Sequence, residues 1–281
     1  MGFCKKLGVE EALKHYGGFV QYYDSTVNRH LPQFAAWVSE WNCRNILACC
    51  GSGEPALTML GAGGEIESLT AVDINAAQLF VLAAKASFLK KNKRMPAFKQ
   101  IEQLYPGKIA PIKRIVRPLK DADLIQILSG KKIVLPAGLG ESSGVVVNKE
   151  MWVSKAAGPF WKEDPLFIVR VCSQLDRLQF LCTDIFDSSE YFKSRSLDLI
   201  YMSNIFLLGD LLYYQVKLEK LIGLLRTGGR MICHVEQDMA PDGCVSSPGR
   251  LLAQQASRLG LKVNFTQANG YLVLQRFGKS R

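Results

Sequence analysis

A strand that ends in two glycines restricts this chain more than any other feature. Residues 45–59 read NILACCGSGEPALTM. An apolar run of strand length stops at Gly51-Ser52-Gly53, and Pro55 then suits the first turn of a helix. A strand that passes into a helix through so short a turn lays that helix over a sheet. The rest of the chain repeats the theme. LTAVDI at 69–74 predicts a second strand, and Asn75 can cap the helix AAQLFVLAAKASFLKK, whose last turn carries lysines where the dipole favours them. LQFLCTD (178–184), LDLIYMS (197–203) and RMICHVE (230–236) predict further strands. Between the last two, residues 210–226 predict an amphipathic helix ended by Thr227-Gly228-Gly229. Pro248 opens a helix that stops at Gly260. LKVNFTQ and YLVLQRF, joined through Ala-Asn-Gly, predict a closing hairpin. Such alternation implies an α/β fold: a doubly wound, mostly parallel sheet with helices on both faces and one antiparallel hairpin strand at the C-terminal end.

Two segments stand apart from that rhythm. Residues 1–42 predict a helical cap, with Leu31, Phe34, Ala35, Val38 and Trp41 at one-face spacing behind Pro32. Residues 93–176 lose the pattern, with prolines at 96, 106, 111 and 118. They read as a substrate or cap region inserted into the domain at 43–281.

The 281 residues carry eight cysteines, none in a CxxC pair and none in a zinc-like set with histidine. Most lie in apolar runs, where a free cysteine acts as a small hydrophobe, so a reducing, cytoplasmic setting is expected and no metal. The opening MGFCKKLGVEEALKHY has no apolar signal core, and Lys6 occupies the place where an acylation pattern needs Ser or Thr. The net charge is +10, and residues 90–120 hold ten basic residues against one acid, Glu102. That stretch could meet anionic lipid headgroups at a membrane surface or, less readily, RNA phosphates; no stacking aromatics interleave the lysines. A solvated face is the plain alternative.

In doubly wound sheets the ligand sits at the carboxyl ends of the strands. GSGEPA fits G-x-G-x-x-A, and Asp73 follows Gly53 by twenty residues, as in a dinucleotide site. Glu54 argues for another ligand: a carboxylate at the helix start opposes a pyrophosphate, and Pro55 removes an amide donor there. S-adenosylmethionine has no phosphate and carries a sulfonium and an ammonium, which an acid attracts. Asp184, ending the third strand, can accept from the adenine amino group, and Ile185 can offer its amide. Asp184 could equally cap the helix near Ser188, and Asp73 could merely end its strand.

The order of elements resembles that of class I adenosylmethionine-dependent methyltransferases, including the TGGRM turn before the fifth strand. ILACCGSGEPAL, AVDINAAQLFVLAAKA and YMSNIF are closer to the betaine-lipid enzymes that move the 3-amino-3-carboxypropyl group of adenosylmethionine onto diacylglycerol, and to their relatives. The resemblance spans about 45–90 and 178–240 and implies a Rossmann-like, seven-stranded sheet. It implies cofactor binding by Cys50, Gly51, Ser52, Gly53, Glu54, Asp73, Ile74, Asn75 and Gln78. Asp184 and Ile185 would lie at the adenine, with Ser203 and Asn204 at the reacting end. Pro55 departs from the asparagine that family carries, and the inserted region differs, so the acceptor does not follow.

Ordinary methyltransferases place an acid two residues before the first glycine to hold the methionine tail; here Cys49 stands there. A tail held differently suits aminocarboxypropyl transfer to a lipid hydroxyl or a small amine or hydroxyl, with methyl transfer to a small molecule or RNA as the alternative. A non-catalytic adenosylmethionine sensor is the reading from another class. Candidates for the chemistry are Tyr201, Ser203, Asn204 and His234, with Glu236 and His30 also considered. Asn204 is favoured to orient the acceptor and His234 is a possible base.

Overall fold

The computed structural model describes residues 31–51, 53–73, 76–94, 165–203, 211–234, 247–266 and 271–277. Among these, seven strands form one sheet in the order β3-β2-β1-β4-β5-β7-β6. The strands are β1 (Asn45–Cys49), β2 (Ser68–Asp73), β3 (Leu178–Cys182), β4 (Leu197–Tyr201), β5 (Leu225–His234), β6 (Leu261–Thr266) and β7 (Tyr271–Arg276). The pairs β1–β4, β2–β3 and β4–β5 are parallel, while β7 runs antiparallel to β5 and β6. The expected α/β sheet with a terminal antiparallel hairpin is therefore present. The chain order reverses direction beside β1, the place where such sheets bind ligands.

The described residues cluster into two compact units. The first holds α1 (Leu31–Glu40), α2 (Glu54–Leu60), β2, α3 (Ala76–Asn92), α4 (Pro165–Gln174) and β3. Helix α1 turns Leu31, Phe34 and Val38 inward, as their spacing predicts, and packs on α2; Trp37 is buried with them, whereas Ala35 and Trp41 are only half-buried and Trp41 lies past the helix end. All seven residues of α2 are buried. Helix α4 lies inside the interval that reads as an insertion, yet it packs on α2 and α3. The reason is visible at Gly61: a Cβ there would fall 2.4 Å from Phe167 and 2.6 Å from Val171, so the missing side chain is what admits the helix. Arg170 Nε also donates to the Gly61 carbonyl at 3.0 Å. Prolines that break the pattern upstream say nothing about a helix whose apolar face becomes complete only against α2 and α3. The remainder of the predicted insertion and residues 1–30 lie outside the described residues.

The second unit holds β1, a short 3-10 segment (Ile185–Glu190), β4, α5 (Leu211–Gly223), β5, α6 (Ser247–Arg258), β6 and β7. One expectation needs correcting here. Thr227-Gly228-Gly229 does not end α5, which stops at Gly223. The three residues lie inside β5, where two steps along β4 (Leu197 to Leu199) match five along β5 (Leu225 to Arg230), a bulge. Gly228 takes a φ of 81° there, and a Cβ on Gly229 would press on the carbonyls of Arg226 and Leu197 at 2.9 and 3.0 Å. The helix end is satisfied from elsewhere. Arg276 on β7 donates through Nη1 to the carbonyls of Ile222, Gly223 and Leu225 at 3.0, 3.1 and 2.8 Å. Asp198, buried in β4, accepts the Arg44 and Asn45 amides, both at 2.7 Å, and pairs with Arg226. Among the described residues no helix is long and apolar enough to cross a membrane.

Candidate functional site

The bend after β1 is built from backbone. Cys50 N donates to Val72 O at 2.8 Å, Gly53 N to Cys50 O at 2.8 Å, and Leu57 N to Gly53 O at 3.0 Å. These three bonds carry the chain from strand through turn into α2. Gly51 and Gly53 both have positive φ, 48° and 80°. Their roles differ. A Cβ on Gly51 would meet nothing within 4 Å, whereas one on Gly53 would lie 2.7 Å from the Leu82 Cβ on α3. Gly51 keeps backbone open, and Gly53 lets a helix come close.

Asp73, at the end of β2, faces this bend. Its Oδ2 accepts the Gly51 amide at 3.1 Å, and the residue is half-buried. A carboxylate oxygen so placed ties the end of β2 to the turn through the Gly51 amide. Cys50 is fully buried; burial first, and then the Asp73 carboxylate, push its thiol well above the ordinary value, with the Lys85 ammonium pulling weakly the other way. It stays a neutral thiol and supplies no anion to the bend. Cys49 is buried too, at the carboxyl end of β1. Asp184 follows β3, also buried.

Glu54 departs from expectation. Its carboxylate is buried, and Oε1 takes the Nζ of Lys85 at 3.2 Å, with side chains only 5% and 1% exposed. Glu54 therefore spends its charge on a cation of the protein's own. The electrostatic reason for preferring a positive ligand over a dinucleotide loses most of its force at this residue; the missing amide of Pro55 remains, while Asp73 suits the ribose of either ligand. Lys85 is the residue that sequence reasoning missed. The signal was there: a single lysine inside LFVLAAKASFL, an otherwise apolar helix interior.

Of the other candidates, Gln78 lies on α3; Ser52, Ile74, Asn75, Asn204, Glu236 and His30 lie outside the described residues. The second unit holds Ile185, Tyr201, Ser203 and His234. Ser203 takes a left-handed φ of 52°, uncommon for a residue with a Cβ, and its carbonyl accepts the His234 amide at 2.7 Å. The two are thereby held side by side at the ends of β4 and β5. The His234 ring meets that of Tyr271, its register partner on β7, with centroids 5.0 Å apart. Tyr271 is fully buried and had no sequence signal beyond opening a strand. Tyr201 is 2% exposed, in register with Ala48 and Ile232, so its side chain is part of the core. No group of metal-binding side chains occurs among the described residues.

No protein-family model and no curated protein matches the chain. Solved structures do resemble it. One is an O-methyltransferase family protein from Burkholderia thailandensis, at 11% identity and a TM-score of 0.42, covering 89% of this chain and 58% of that protein. A Geobacter sulfurreducens methyltransferase matches at 8% identity and a TM-score of 0.43, covering 95% and 87%. The 1,6-didemethyltoxoflavin-N1-methyltransferase of B. thailandensis, bound to its namesake substrate and S-adenosylhomocysteine, matches at 12% identity and a TM-score of 0.40, covering 89% and 79%. Each TM-score is below 0.5, so the fold assignment rests on this chain's own strand order.

Proposed function

We propose that this chain is an S-adenosylmethionine-dependent transferase. One observation carries the reading. At the end of β2, the Asp73 carboxylate takes the amide of Gly51, and Gly51 stands in a positive-φ turn with open space before its α-carbon. An acid at the end of the second strand, beside an open turn, suits ribose hydroxyls, and open backbone suits the flat approach of a nucleoside. Asp184, after β3, would accept from an adenine amino group, as the resemblance implies. Adenosylmethionine, when bound, supplies a sulfonium with three electrophilic carbons. The chain's own part is to hold the nucleoside and orient an acceptor; the candidates for that are Ser203, Asn204 and His234.

Between the carbons, aminocarboxypropyl transfer to a lipid hydroxyl or a small amine or hydroxyl is favoured. Neither Cys49 nor the neutral Cys50 can offer the methionine tail the anion expected of a methyltransferase. Methyl transfer to a small molecule or RNA is the second reading. Incubation with adenosylmethionine and candidate acceptors separates them: methylthioadenosine as product supports the first, and S-adenosylhomocysteine the second. Binding tests the common ground. Adenosylmethionine should bind in calorimetry, and Asp73→Ala should weaken it by about tenfold or more. Tight binding of a nicotinamide dinucleotide with no uptake of adenosylmethionine would refute both readings, and uptake without turnover of any acceptor would make the chain a sensor.

The basic residues suggest where the acceptor is met. Lys90, Lys91, Lys93 and Arg94 are all exposed at the end of α3. Each basic residue near an anionic membrane surface adds about 1 kcal/mol. Stronger retention on anionic than on neutral vesicles, lost with salt, is the expected outcome; preference for tRNA over vesicles would favour an RNA acceptor.

A further inference from the structure

We propose that helix α4 is a membrane-docking element: Leu166 and Val169 enter the acyl boundary of an anionic bilayer while the lysines that end α3 hold its headgroups. The inference rests on the membrane reading of those basic residues and supplies the apolar half of the contact. Helix α4 reads PLFIVRVCSQ, apolar over more of its circumference than the described residues cover. Phe167 and Val171 are buried at Gly61, where the helix meets α2. Leu166 and Val169 stand three residues apart, hence on one face, and are 66% and 57% exposed. Ser173 continues that face into solvent one turn on.

The flank beside this face carries the charge. Cys172 Sγ donates to the Leu89 carbonyl at 3.3 Å, and the Lys93 ammonium acts on the same thiol. Lys90 reaches Asp176, just past the helix, at 3.3 Å. Lys90, Lys91 and Lys93 are all exposed. Cys172 is three residues from Val169 and six from Leu166, about 5 and 9 Å along the axis, so the apolar pair lies within two turns of the lysines. The pair of Lys90 with Asp176 is exposed on both sides and exchanges readily for a phosphate. The exposed Glu65 and Glu67 stand on the other flank, beside Gly64, whose carbonyl takes Gln174.

Exposed aliphatic side chains next to lysines match hydrocarbon under anionic headgroups. RNA would give the lysines phosphates but give a leucine and a valine little, because its bases take up aromatic rings by stacking. At ten residues, α4 is about 15 Å long and would lie in the interface rather than cross it.

Cosedimentation with phosphatidylcholine vesicles, with and without phosphatidylserine, tests this. Leu166→Ser/Val169→Ser should lower partitioning onto the anionic vesicles by about tenfold or more, at low and high salt alike. Lys90→Gln/Lys91→Gln/Lys93→Gln should lower it mainly at low salt. Both apolar side chains face solvent, so the serine variant should keep the wild-type urea midpoint, and each single substitution should show part of the same loss. A serine variant that partitions like wild type overturns the proposal and leaves the membrane role of the lysines standing. Wild-type protein that ignores anionic vesicles, or prefers tRNA to them, overturns both. Calorimetry with adenosylmethionine reads the transferase assignment separately.

Discussion

One methyl group separates the tasks of two glycines in the same turn. Gly53→Ala would drive a Cβ to 2.7 Å from Leu82 while holding alanine at a φ of 80°. Steric overlap and left-handed backbone together should cost about 3 kcal/mol, read as a lower urea midpoint. Gly51→Ala meets open space and pays only for its backbone, about 1 kcal/mol. Its effect should instead appear in adenosylmethionine affinity, because the new methyl occupies the face left clear for a ligand. A Gly51→Ala protein that binds adenosylmethionine like wild type would show that nothing approaches the bend there. The double-glycine spacing was legible in the sequence. Which glycine faces solvent and which faces a helix was not, because that depends on α3, more than twenty residues away.

At the scale of elements, long-range polar contacts decide the ends. Asp198 holds the start of β1 through the Arg44 and Asn45 amides and pairs with Arg226 across the β5 bulge. Asp198→Ala strands two amides, while the half-exposed Arg226 guanidinium turns to water, and a loss of about 1–3 kcal/mol in denaturant unfolding is expected. Arg276→Ala removes the donor that satisfies two carbonyls at the end of α5 and a third at the start of β5. The expected cost is about 1–3 kcal/mol, with faster amide exchange in the last turn of α5 than in β4. An unchanged exchange pattern would mean that water satisfies those carbonyls as well as the arginine does. The sequence offered Gly228 as a local cap; an arginine some fifty residues downstream does the work, and a glycine pair that looked like a terminator accommodates a bulge. Element identity was readable from apolar periodicity, since each strand and helix carries its own pattern. Element ends were less so, since their donors come from other parts of the chain.

For the molecule as a whole, buried thiols make stability depend on alkaline pH. Burial, aided by the Asp198 carboxylate, pushes the Cys43 thiol from 9.0 up to about 12, and burial also raises Cys50 and Cys233. The unfolded chain gives up these protons near the ordinary value, before the folded state can. Their contribution is thus complete below about pH 9 and is lost progressively as pH rises toward 12. Urea midpoints should be level to about pH 8.5 and then fall, each such thiol contributing about 1.4 kcal/mol per pH unit. Cys43→Ala should flatten that slope, and an unchanged slope would show that the thiol ionises in place. By itself the sequence determined the class of fold, because strand-length apolar runs alternating with helical ones can bury their faces only as a layered sheet, and the closing hairpin must then lie antiparallel. It also marked Gly51, Gly53 and Asp73, since turns and strand ends are written in local residue types. Only the tertiary structure decided that Glu54 is already matched by Lys85, that Tyr271 backs His234, and that α4 belongs to the body of the first unit. Charge balance and packing are sums over neighbours in space, and those neighbours are far apart along the chain.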